Sequence, residues 1–376
     1  MSTPSDNAPV SGVILTRGSD VTLEAVDWVW QNWLAAGKLH LLAGQSGTGK
    51  TTIALALAAT VSAGGQWPDS TPQQGTPGEV IVWSGEDDIR DTIAPRLVAA
   101  GANMHRVHIV EGMRAHGRVY PFDPAVHLDS LERAISSLTN PRLIVIDPIV
   151  SAISGNSHRN AEVRRGLQPL IDMAIRHSAA VLGITHLSKG TAGQDPVERI
   201  TGSLAFAALA RIVMLTAKSR DENTSALMLA QSNVGPDGGG FRYKLQQDVL
   251  SSHPQIVASH VVWGTAFEGS ARSVMDEYES PHSSTISAID AASSYLLGRL
   301  ANGPVSTEDI RVDSEANGYS WATIRRCKET LGVKAVKTTM RGGWTWQIPA
   351  KTLNSAEDVQ PPGVSIFESD EHLRAD

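Results

Sequence analysis

The chain has 376 residues, a formal net charge of −7 and 41% apolar residues, which is ordinary for a globular protein of two or three domains. Cys327 is the only cysteine, so an intrachain disulfide and a zinc site built from cysteines are excluded. The first residues lack the basic and apolar regions of a signal peptide, and no apolar stretch approaches the ~20 residues of a membrane span. We therefore expect a cytoplasmic protein that does not contact membranes and that binds nucleic acid only through local basic patches.

Residues 1–24 lack periodicity and predict a flexible N-terminal segment. Between residues 25 and 267, short apolar runs alternate with longer amphipathic stretches. The apolar runs predict strands at Leu39–Ala43, Val80–Trp83, Val107–Val110, Leu143–Ile146, Val181–Thr185, Ile212–Thr216 and Ala226–Gln231. The amphipathic stretches predict helices at Thr51–Ala63, Ile89–Gly101, Leu128–Leu138 and Ala161–His177. This alternation predicts an α/β domain with a mostly parallel central sheet covered on both faces.

Two further features close this domain. The segment Gly235–Gly240 contains four glycines and lies between the apolar runs Leu227–Asn233 and Phe241–Leu245, which predicts a β-hairpin. Residues 268–284 are rich in serine and acidic side chains and contain Pro281, so we interpret them as a linker.

Residues 285–350 form a second predicted domain. Helices are predicted at Ile286–Leu300, Thr307–Asn317 and Trp321–Leu331, and two short β-like pieces surround Arg341-Gly342-Gly343. Three helices and a terminal hairpin match the outline of a winged helix-turn-helix, with Trp344 and Trp346 in its small core. Residues 351–376 carry six acidic and two basic side chains, which predicts a disordered acidic tail.

The segment Gly44–Thr51 (GQSGTGKT) lies between a predicted strand and a predicted helix. Glycines allow the backbone to pass close to phosphate oxygens, and the loop amides and helix N-terminus bind the anion. A lysine in the position of Lys50 neutralises the β and γ phosphates, and the Thr51 hydroxyl ligates Mg²⁺. This context favours a P-loop for ATP and Mg²⁺ over a chance glycine-rich turn. The predicted nucleotide-binding residues are Gly44, Gln45, Ser46, Gly47, Thr48, Gly49, Lys50, Thr51 and Thr52.

Carboxylates follow two other predicted strands. Glu86 comes after Val80–Trp83, where a carboxylate can orient and deprotonate the attacking water. The alternative for this acidic group is an N-cap role, which Asp87 or Asp88 can fulfil while Glu86 is catalytic. Asp147 directly follows four apolar residues, which is the pattern of a Walker B aspartate that holds Mg²⁺ through its water shell.

Two basic residues adjoin later strands. His186 follows Val181–Thr185, where it can contact the γ-phosphate and act as a sensor, although an ordinary surface histidine is the alternative. Arg211 precedes Ile212–Thr216 and is either a strand-edge cation or an arginine finger that reaches a neighbouring subunit's ATP.

Several segments together resemble the RecA-like hexameric helicases of the AAA group, and most closely the RepA type of plasmids and phages. These segments are Trp28–Lys38, Ser84–Asp87, Arg96-Leu97, Asp147, Thr185–Gly190, and Gly202-Ser203 through Arg211. The resemblance implies a RecA-like P-loop NTPase core in a homo-oligomer, most simply a hexameric ring. It assigns Glu86 as the catalytic carboxylate, His186 as the sensor and Arg211 as the finger. It adds Arg96 as a second active-site arginine. The winged helix departs from the minimal plasmid helicase.

The resemblance also implies where DNA would lie. In such rings the loops after the Walker B and sensor strands line a central channel, so Arg159, Lys189 and Arg199 are candidate contacts to single-stranded DNA, with solvated loops as the alternative. Between Tyr319 and Trp346 there are six basic side chains and one acidic one. Arg325, Arg326 and Lys328 are therefore candidate contacts to duplex DNA, unless the unit docks a protein.

The leading hypothesis is an ATP-dependent helicase or translocase on single-stranded DNA in the replication of a mobile element. An alternative is an ATP-switched DNA-binding regulator or loader that uses the winged helix. A third hypothesis, with weaker support, is a recombinase-like filament ATPase.

Overall fold

The computed structural model describes residues 13–188, 190–191, 193–201, 204–219, 224–279, 282–337 and 344–348, without the side chains of 282–290 and 322. The chain divides into two compact units, Met1–Ser280 and Pro281–Asp376. The predicted tail 351–376 and the first half of the predicted flexible segment lie outside the described residues. No helix in the described part of the chain is long and apolar enough to cross a membrane.

The first unit alternates strands and helices along most of its length. Its described strands are β1 (Trp28–Trp30), β2 (Leu34–Ala35), β3 (Leu39–Gly44), β4 (Glu79–Ser84), β5 (Val107–Ile109), β6 (Met113–Ala115), β7 (Arg118–Tyr120), β8 (Pro141–Asp147), β9 (Ala180–His186), β10 (Ile212–Lys218), β11 (Ser225–Ser232), β12 (Gly240–Leu250) and β13 (His253–Phe267). Its described helices are α1 (Lys50–Ala63), α2 (Ala94–Ala99), α3 (Leu128–Ile135), α4 (Asn160–Arg176), α5 (Leu204–Leu209) and α6 (Ala271–Glu279). Each of the seven predicted strands and four predicted helices has a counterpart here. The predicted helix Ile89–Gly101 begins as a π-helical turn, Ile89–Ile93.

The central sheet has nine strands in the described residues, in the order β13-β12-β11-β10-β3-β9-β8-β4-β5. The strands from β10 to β5 are parallel, and β11, β12 and β13 extend one edge in antiparallel fashion. This mixed α/β architecture, with a large and mostly parallel sheet, confirms the predicted class of the core. Because the carboxyl ends of parallel strands share one edge, the residues that follow β3, β4, β8 and β9 are brought together there.

The sheet is covered on both faces, because successive side chains of a strand point to opposite sides. On β3, Leu41 packs into the apolar cluster that contains residues of α3, α4 and α6, and Leu42 packs into the cluster that contains α1. Both leucines are fully buried. Helix α1 contributes Ile53 and Leu57 to that second cluster at the i, i+4 spacing of one helix face. The helix that follows the phosphate loop is thereby fixed to the sheet.

The region after residue 247 differs from the sequence-based prediction. Strands β12 and β13 form a long antiparallel hairpin that packs on α1 and α2, and we did not predict β13. The predicted linker 268–284 instead contains helix α6. Its apolar residues Ala271, Val274, Met275 and Tyr278 follow the i, i+3, i+4, i+7 pattern of a helix face and join the core, so the boundary between the units falls after α6.

The second unit contains, among its described residues, helices α7 (His282–Leu300), α8 (Thr307–Ala316) and α9 (Trp321–Thr330) and strands β14 (Val305–Ser306), β15 (Lys334–Lys337) and β16 (Trp344–Gln347). The strands form an antiparallel sheet in the order β14-β16-β15. Leu296, Ile310, Ile324 and Trp346 share a small apolar core. The prediction for Trp344 was wrong: it pairs with Lys337 at the turn end of the β15–β16 hairpin and is 54% exposed.

Candidate nucleotide site

The phosphate loop connects the end of β3 to the start of α1. Gly49 is the residue before α1 and has a φ of +83°, a conformation that glycine adopts without strain. Gly44 is required for space, because a Cβ there would lie 1.9 Å from the Thr216 hydroxyl oxygen. The first amides of α1 face the loop and have no partner within the helix, so they are available to an anion.

Lys50 lies inside this loop and is buried. Its Nζ donates hydrogen bonds to the carbonyl oxygens of Gly44, at 3.1 Å, and Gln45, at 3.0 Å. Burial lowers the pKa of Lys50, whereas the negative charges of Asp147 and Glu86 oppose that shift. A buried ammonium that donates to neutral carbonyls is well suited to donate to a phosphate oxygen in their place.

Thr51 and Asp147 present two oxygen atoms side by side. The Thr51 hydroxyl donates to Asp147 Oδ2 at 2.7 Å, and Asp147 is only 3% exposed. Burial raises the pKa of Asp147 to about 6, and the carboxylates of Glu86 and Asp87 contribute to the increase. A buried carboxylate whose charge is poorly compensated fits a hard divalent cation such as Mg²⁺, which binds oxygen ligands. These two residues therefore fit the predicted metal role.

Glu86 and His186 lie at the same edge of the sheet. His186 Nδ1 is 3.3 Å from Lys50 Nζ, and His186 Nε2 is 4.0 Å from Glu86 Oε1. Burial, followed by the positive charge of Lys50, lowers the pKa of His186. A charged ammonium can only donate, so Nδ1 accepts and the proton of the neutral ring lies on Nε2, toward Glu86. Glu86 is the more exposed of the two and is available to a water molecule.

Arg96 lies on α2 and reaches the cavity from the side. Its Nη1 is 3.0 Å from Asp87 Oδ2, so the carboxylate next to Glu86 is already paired. Asp88 accepts hydrogen bonds from the amides of Arg90 and Asp91 and caps the π-helical turn. Asp88 is therefore the cap, and the catalytic role of Glu86 remains a prediction that is compatible with it.

These residues line one cavity of about 700 Å³ above the phosphate loop. Its wall also includes three residues of the β12–β13 hairpin that we did not predict, namely Leu245, Gln247 and Ser259. A Cβ on Gly49 would lie 2.7 Å from a methyl carbon of Leu245, which shows how closely the hairpin covers the loop. No motif in the sequence marks these positions.

Two other residues that we did not predict hold the loop from below. The Thr216 and Thr48 hydroxyl oxygens are 2.7 Å apart, and the buried Tyr243 hydroxyl donates to the Thr48 carbonyl oxygen. Burial raises the pKa of Tyr243, so its hydroxyl remains a donor at neutral pH. The only signal in the sequence is that Thr216 is the last residue of the predicted strand Ile212–Thr216.

Arg211 is exposed and lies far from the phosphate loop of its own chain. Arg211 comes just before Ile212 of β10, which pairs with His40 of β3. Gly44, where the phosphate loop begins, pairs with Thr216 at the other end of the same two strands. Four residues of extended strand separate the two ends by about 13 Å. Arg211 therefore cannot belong to its own chain's site, and its role toward a neighbouring subunit remains a prediction.

The candidate DNA contacts differ in their surroundings. Arg159 is exposed and weakly paired with Glu162, at 3.3 Å. Arg199 is only 2% exposed and is bound by Glu279, so it could meet a phosphate only by leaving that partner. Lys189 lies outside the described residues, as do Gly202 and Ser203.

Basic side chains of the second unit divide into two kinds. Arg325 and Arg326 are exposed on α9, whereas the Lys328 ammonium lies 5.2 Å from the centre of the Trp346 ring. Lys328 thus packs against its own unit, and the two arginines face solvent. Arg341 lies outside the described residues.

Comparison with known proteins agrees with this geometry. Residues 6–192 match the family model of an AAA domain. The matched region contains the phosphate loop, Glu86, Asp147 and His186 and ends before Arg211. No curated protein matches the chain. Residues 6–192 therefore carry a P-loop ATPase domain of the AAA type.

Proposed function

We propose that this protein is an ATP-hydrolysing DNA helicase or translocase that acts on single-stranded DNA in the replication of a mobile element. The observation that carries the ATPase part is the convergence of Lys50, Thr51, Glu86, Asp147 and His186 around one cavity. They come from four parallel strands that end at the same edge of the sheet. The DNA part rests on the resemblance to RepA-type helicases.

In the proposed reaction, the triphosphate lies along the phosphate loop, and Lys50 exchanges its carbonyl partners for phosphate oxygens. Bound Mg²⁺ would be held by Thr51 and Asp147 and would neutralise charge on the β and γ phosphates. Glu86 orients the attacking water and accepts its proton. His186 Nδ1 lies 3.3 Å from Lys50 Nζ. Its Nε2 would donate to the γ-phosphate and would lose this acceptor when the phosphate leaves.

We further propose that the site is completed by a second copy of the chain in a ring, most simply a hexamer. Arg211 is exposed and lies at the end of the sheet opposite to its own cavity, which suits a group supplied to a neighbour. An arginine at the γ-phosphate stabilises charge that develops in the transition state. Imaging of the particles with and without an ATP analogue distinguishes a closed ring from a filament.

Strand displacement on forked DNA tests this function. The wild-type protein should unwind the fork with ATP and Mg²⁺, and Glu86→Gln should bind ATP yet lose ~10²–10⁴-fold in turnover. Glu111→Gln, an exposed carboxylate that follows β5, is the matched control and should behave as wild type. A protein that hydrolyses ATP on single-stranded DNA but never unwinds a fork would refute the helicase part alone.

A second candidate is an ATP-switched regulator or loader that binds duplex DNA. It is favoured by the exposed Arg325 and Arg326 on α9, in a unit whose helices and three-stranded sheet suit a winged helix. The third helix of such a unit would enter the major groove. Sequence-specific duplex binding that requires residues 285–350, together with slow hydrolysis, would favour this candidate over the helicase.

A further inference from the structure

Glu279, the last residue of α6, contacts two parts of the nucleotide domain at once. Its carboxylate accepts hydrogen bonds from Arg199, with Nη2 to Oε1 at 2.6 Å and Nη1 to Oε2 at 3.1 Å. Oε1 also accepts from the side-chain amide of Gln45 in the phosphate loop, at 3.2 Å. One carboxylate thus links the phosphate loop to Arg199, and no motif of the nucleotide site includes it.

The pair is built into the protein interior. The Arg199 side chain is 3% exposed and that of Glu279 is 15% exposed. Arg199 Nε donates to the Thr191 hydroxyl at 3.2 Å, so each of the three guanidinium nitrogens has a hydrogen-bond partner. Burying two charges is costly unless they are paired in good geometry, and the two-point contact between Arg199 and Glu279 provides that pairing. Tyr278 and the other apolar residues of α6 pack in the core and hold Glu279 in place.

Arg199 belongs to a short return segment, Glu198–Thr201, that lies beside the end of the sensor strand. The Arg199 carbonyl accepts from the Ser188 amide at 2.7 Å, and the Thr201 amide donates to the His186 carbonyl at 2.9 Å. His186 in turn contacts Lys50. These contacts therefore connect the phosphate loop to Glu279, Glu279 to Arg199, the segment 198–201 to His186, and His186 back to Lys50.

The Gln45 end of these contacts adjoins Lys50, the residue that would bind the phosphates in the proposed function. The Gln45 carbonyl is bound by Lys50 Nζ at 3.0 Å and by the Thr48 hydroxyl at 2.8 Å. In the proposed reaction Lys50 turns to a phosphate oxygen, so the Gln45 carbonyl would lose its charged partner and keep only the Thr48 hydroxyl, which allows the Gln45 peptide to shift. Its side chain is bonded to Glu279, so the shift reaches the carboxylate that fixes Arg199.

We propose that Glu279 is a positioning residue whose carboxylate keeps the phosphate loop and the return segment in register, so that nucleotide binding is transmitted to residues 198–201. The expected effect on turnover rests on the proposed ATPase function. The link between the phosphate loop and residues 198–201 does not. The residue acts through Gln45 and Arg199 and does not line the cavity above the phosphate loop. Its loss should therefore affect turnover more than nucleotide affinity.

Hydrogen exchange on the full-length protein tests this role, in peptides that contain Ser188 and Thr201, with and without a non-hydrolysable ATP analogue and Mg²⁺. In wild type the analogue should slow exchange of these amides. Glu279→Gln should lose most of that response, with kcat lowered about tenfold and the affinity for a fluorescent ATP analogue changed less than about threefold. Glu277→Gln, an exposed carboxylate on the same helix, is the matched control and should respond as wild type.

An unaltered exchange response and kcat in Glu279→Gln would overturn the proposal, as would a wild-type protein that binds the analogue without any response. If Glu279→Gln does not fold, Gln45→Ala keeps the buried ion pair and should show the same loss of response. A normal response in that variant would also overturn the proposal. If wild type proves inactive as an ATPase, the proposed function fails, and the exchange experiment still decides the role of Glu279.

Discussion

Acidification should destabilise the strand that carries the phosphate loop, through a single buried histidine. His40 of β3 is fully buried; its Nε2 accepts from the Ala35 amide at 2.9 Å, and its Nδ1 lies 3.1 Å from the Val181 carbonyl oxygen. A neutral ring satisfies both contacts, whereas a protonated ring cannot accept from Ala35. Burial, as the main cause, lowers the pKa of His40 from its ordinary value of 6.5 to about 4.

The sign and the size of the effect follow from linkage. Between the two pKa values the unfolded chain binds the proton and the folded chain does not, so stability is lost as the pH falls through this window. From about pH 7 to about pH 5 the expected loss is about 2 kcal/mol, and it reaches about 3 kcal/mol below the folded-state pKa. Other groups also titrate in this range, so the comparison requires a variant that cannot.

His40→Gln supplies that comparison, because an amide can accept from Ala35 and donate to Val181 without titrating. Urea unfolding followed by tryptophan fluorescence, at several pH values, measures the free energy of unfolding. The free energy of unfolding of the wild type, minus that of His40→Gln, should fall by about 2 kcal/mol from about pH 7 to about pH 5. His253→Gln, at an exposed position, should keep the wild-type slope. Equal slopes for wild type and His40→Gln would refute the argument.

Four other variants separate the roles assigned above. Tyr243→Phe leaves the buried Thr48 carbonyl without its donor, so unfolding experiments should show a loss of about 1–2 kcal/mol, and titration with a fluorescent ATP analogue should show weaker binding; unchanged values would contradict the proposed support of the loop. Arg211→Ala should lower steady-state ATPase turnover ~10³-fold or more with ATP binding intact, and surviving turnover would rule out the finger. The double change Arg325→Ala with Arg326→Ala should weaken duplex DNA binding about tenfold at low salt in a filter-binding assay. Lys328→Ala should instead lower the free energy of unfolding by about 0.5–1 kcal/mol, because it removes the contact with Trp346. Equal DNA binding by the wild type, the double variant and Lys328→Ala would favour a protein-docking unit.

Much of the nucleotide site could be predicted because its residues follow strands. Gly44–Thr51, Asp147 and His186 each come directly after an apolar run, and Glu86 follows one after two intervening residues. In a parallel sheet such positions meet at one edge without further information. The structure brings these groups together as expected. It also separates Asp88, which caps a helical turn, from Glu86, which lines the cavity near His186, because only the backbone geometry shows which carboxylate receives the amides.

Helix α6 shows a different limit. Its apolar residues have helical spacing, so the pattern was present in the sequence, but the neighbouring serines, acidic residues and Pro281 favoured a linker. Arg199 shows a third limit: a basic residue in a loop has the same sequence pattern whether it faces DNA or a buried carboxylate 80 positions away.

The amino-acid sequence by itself determined the phosphate loop, the seven strands and four helices predicted for the core, and the set of strand-end residues that perform the proposed chemistry. These depend on local spacing and on the periodicity of apolar residues, which a single chain displays directly. The tertiary structure alone decided that Tyr243 supports the phosphate loop through the Thr48 carbonyl, that Leu245 covers the loop, and that Arg211 lies at the end of the sheet opposite to its own site. It also decided that Glu279 joins Gln45 to Arg199. Those contacts depend on packing between segments distant in sequence, and no local pattern specifies which of many polar and apolar side chains will meet.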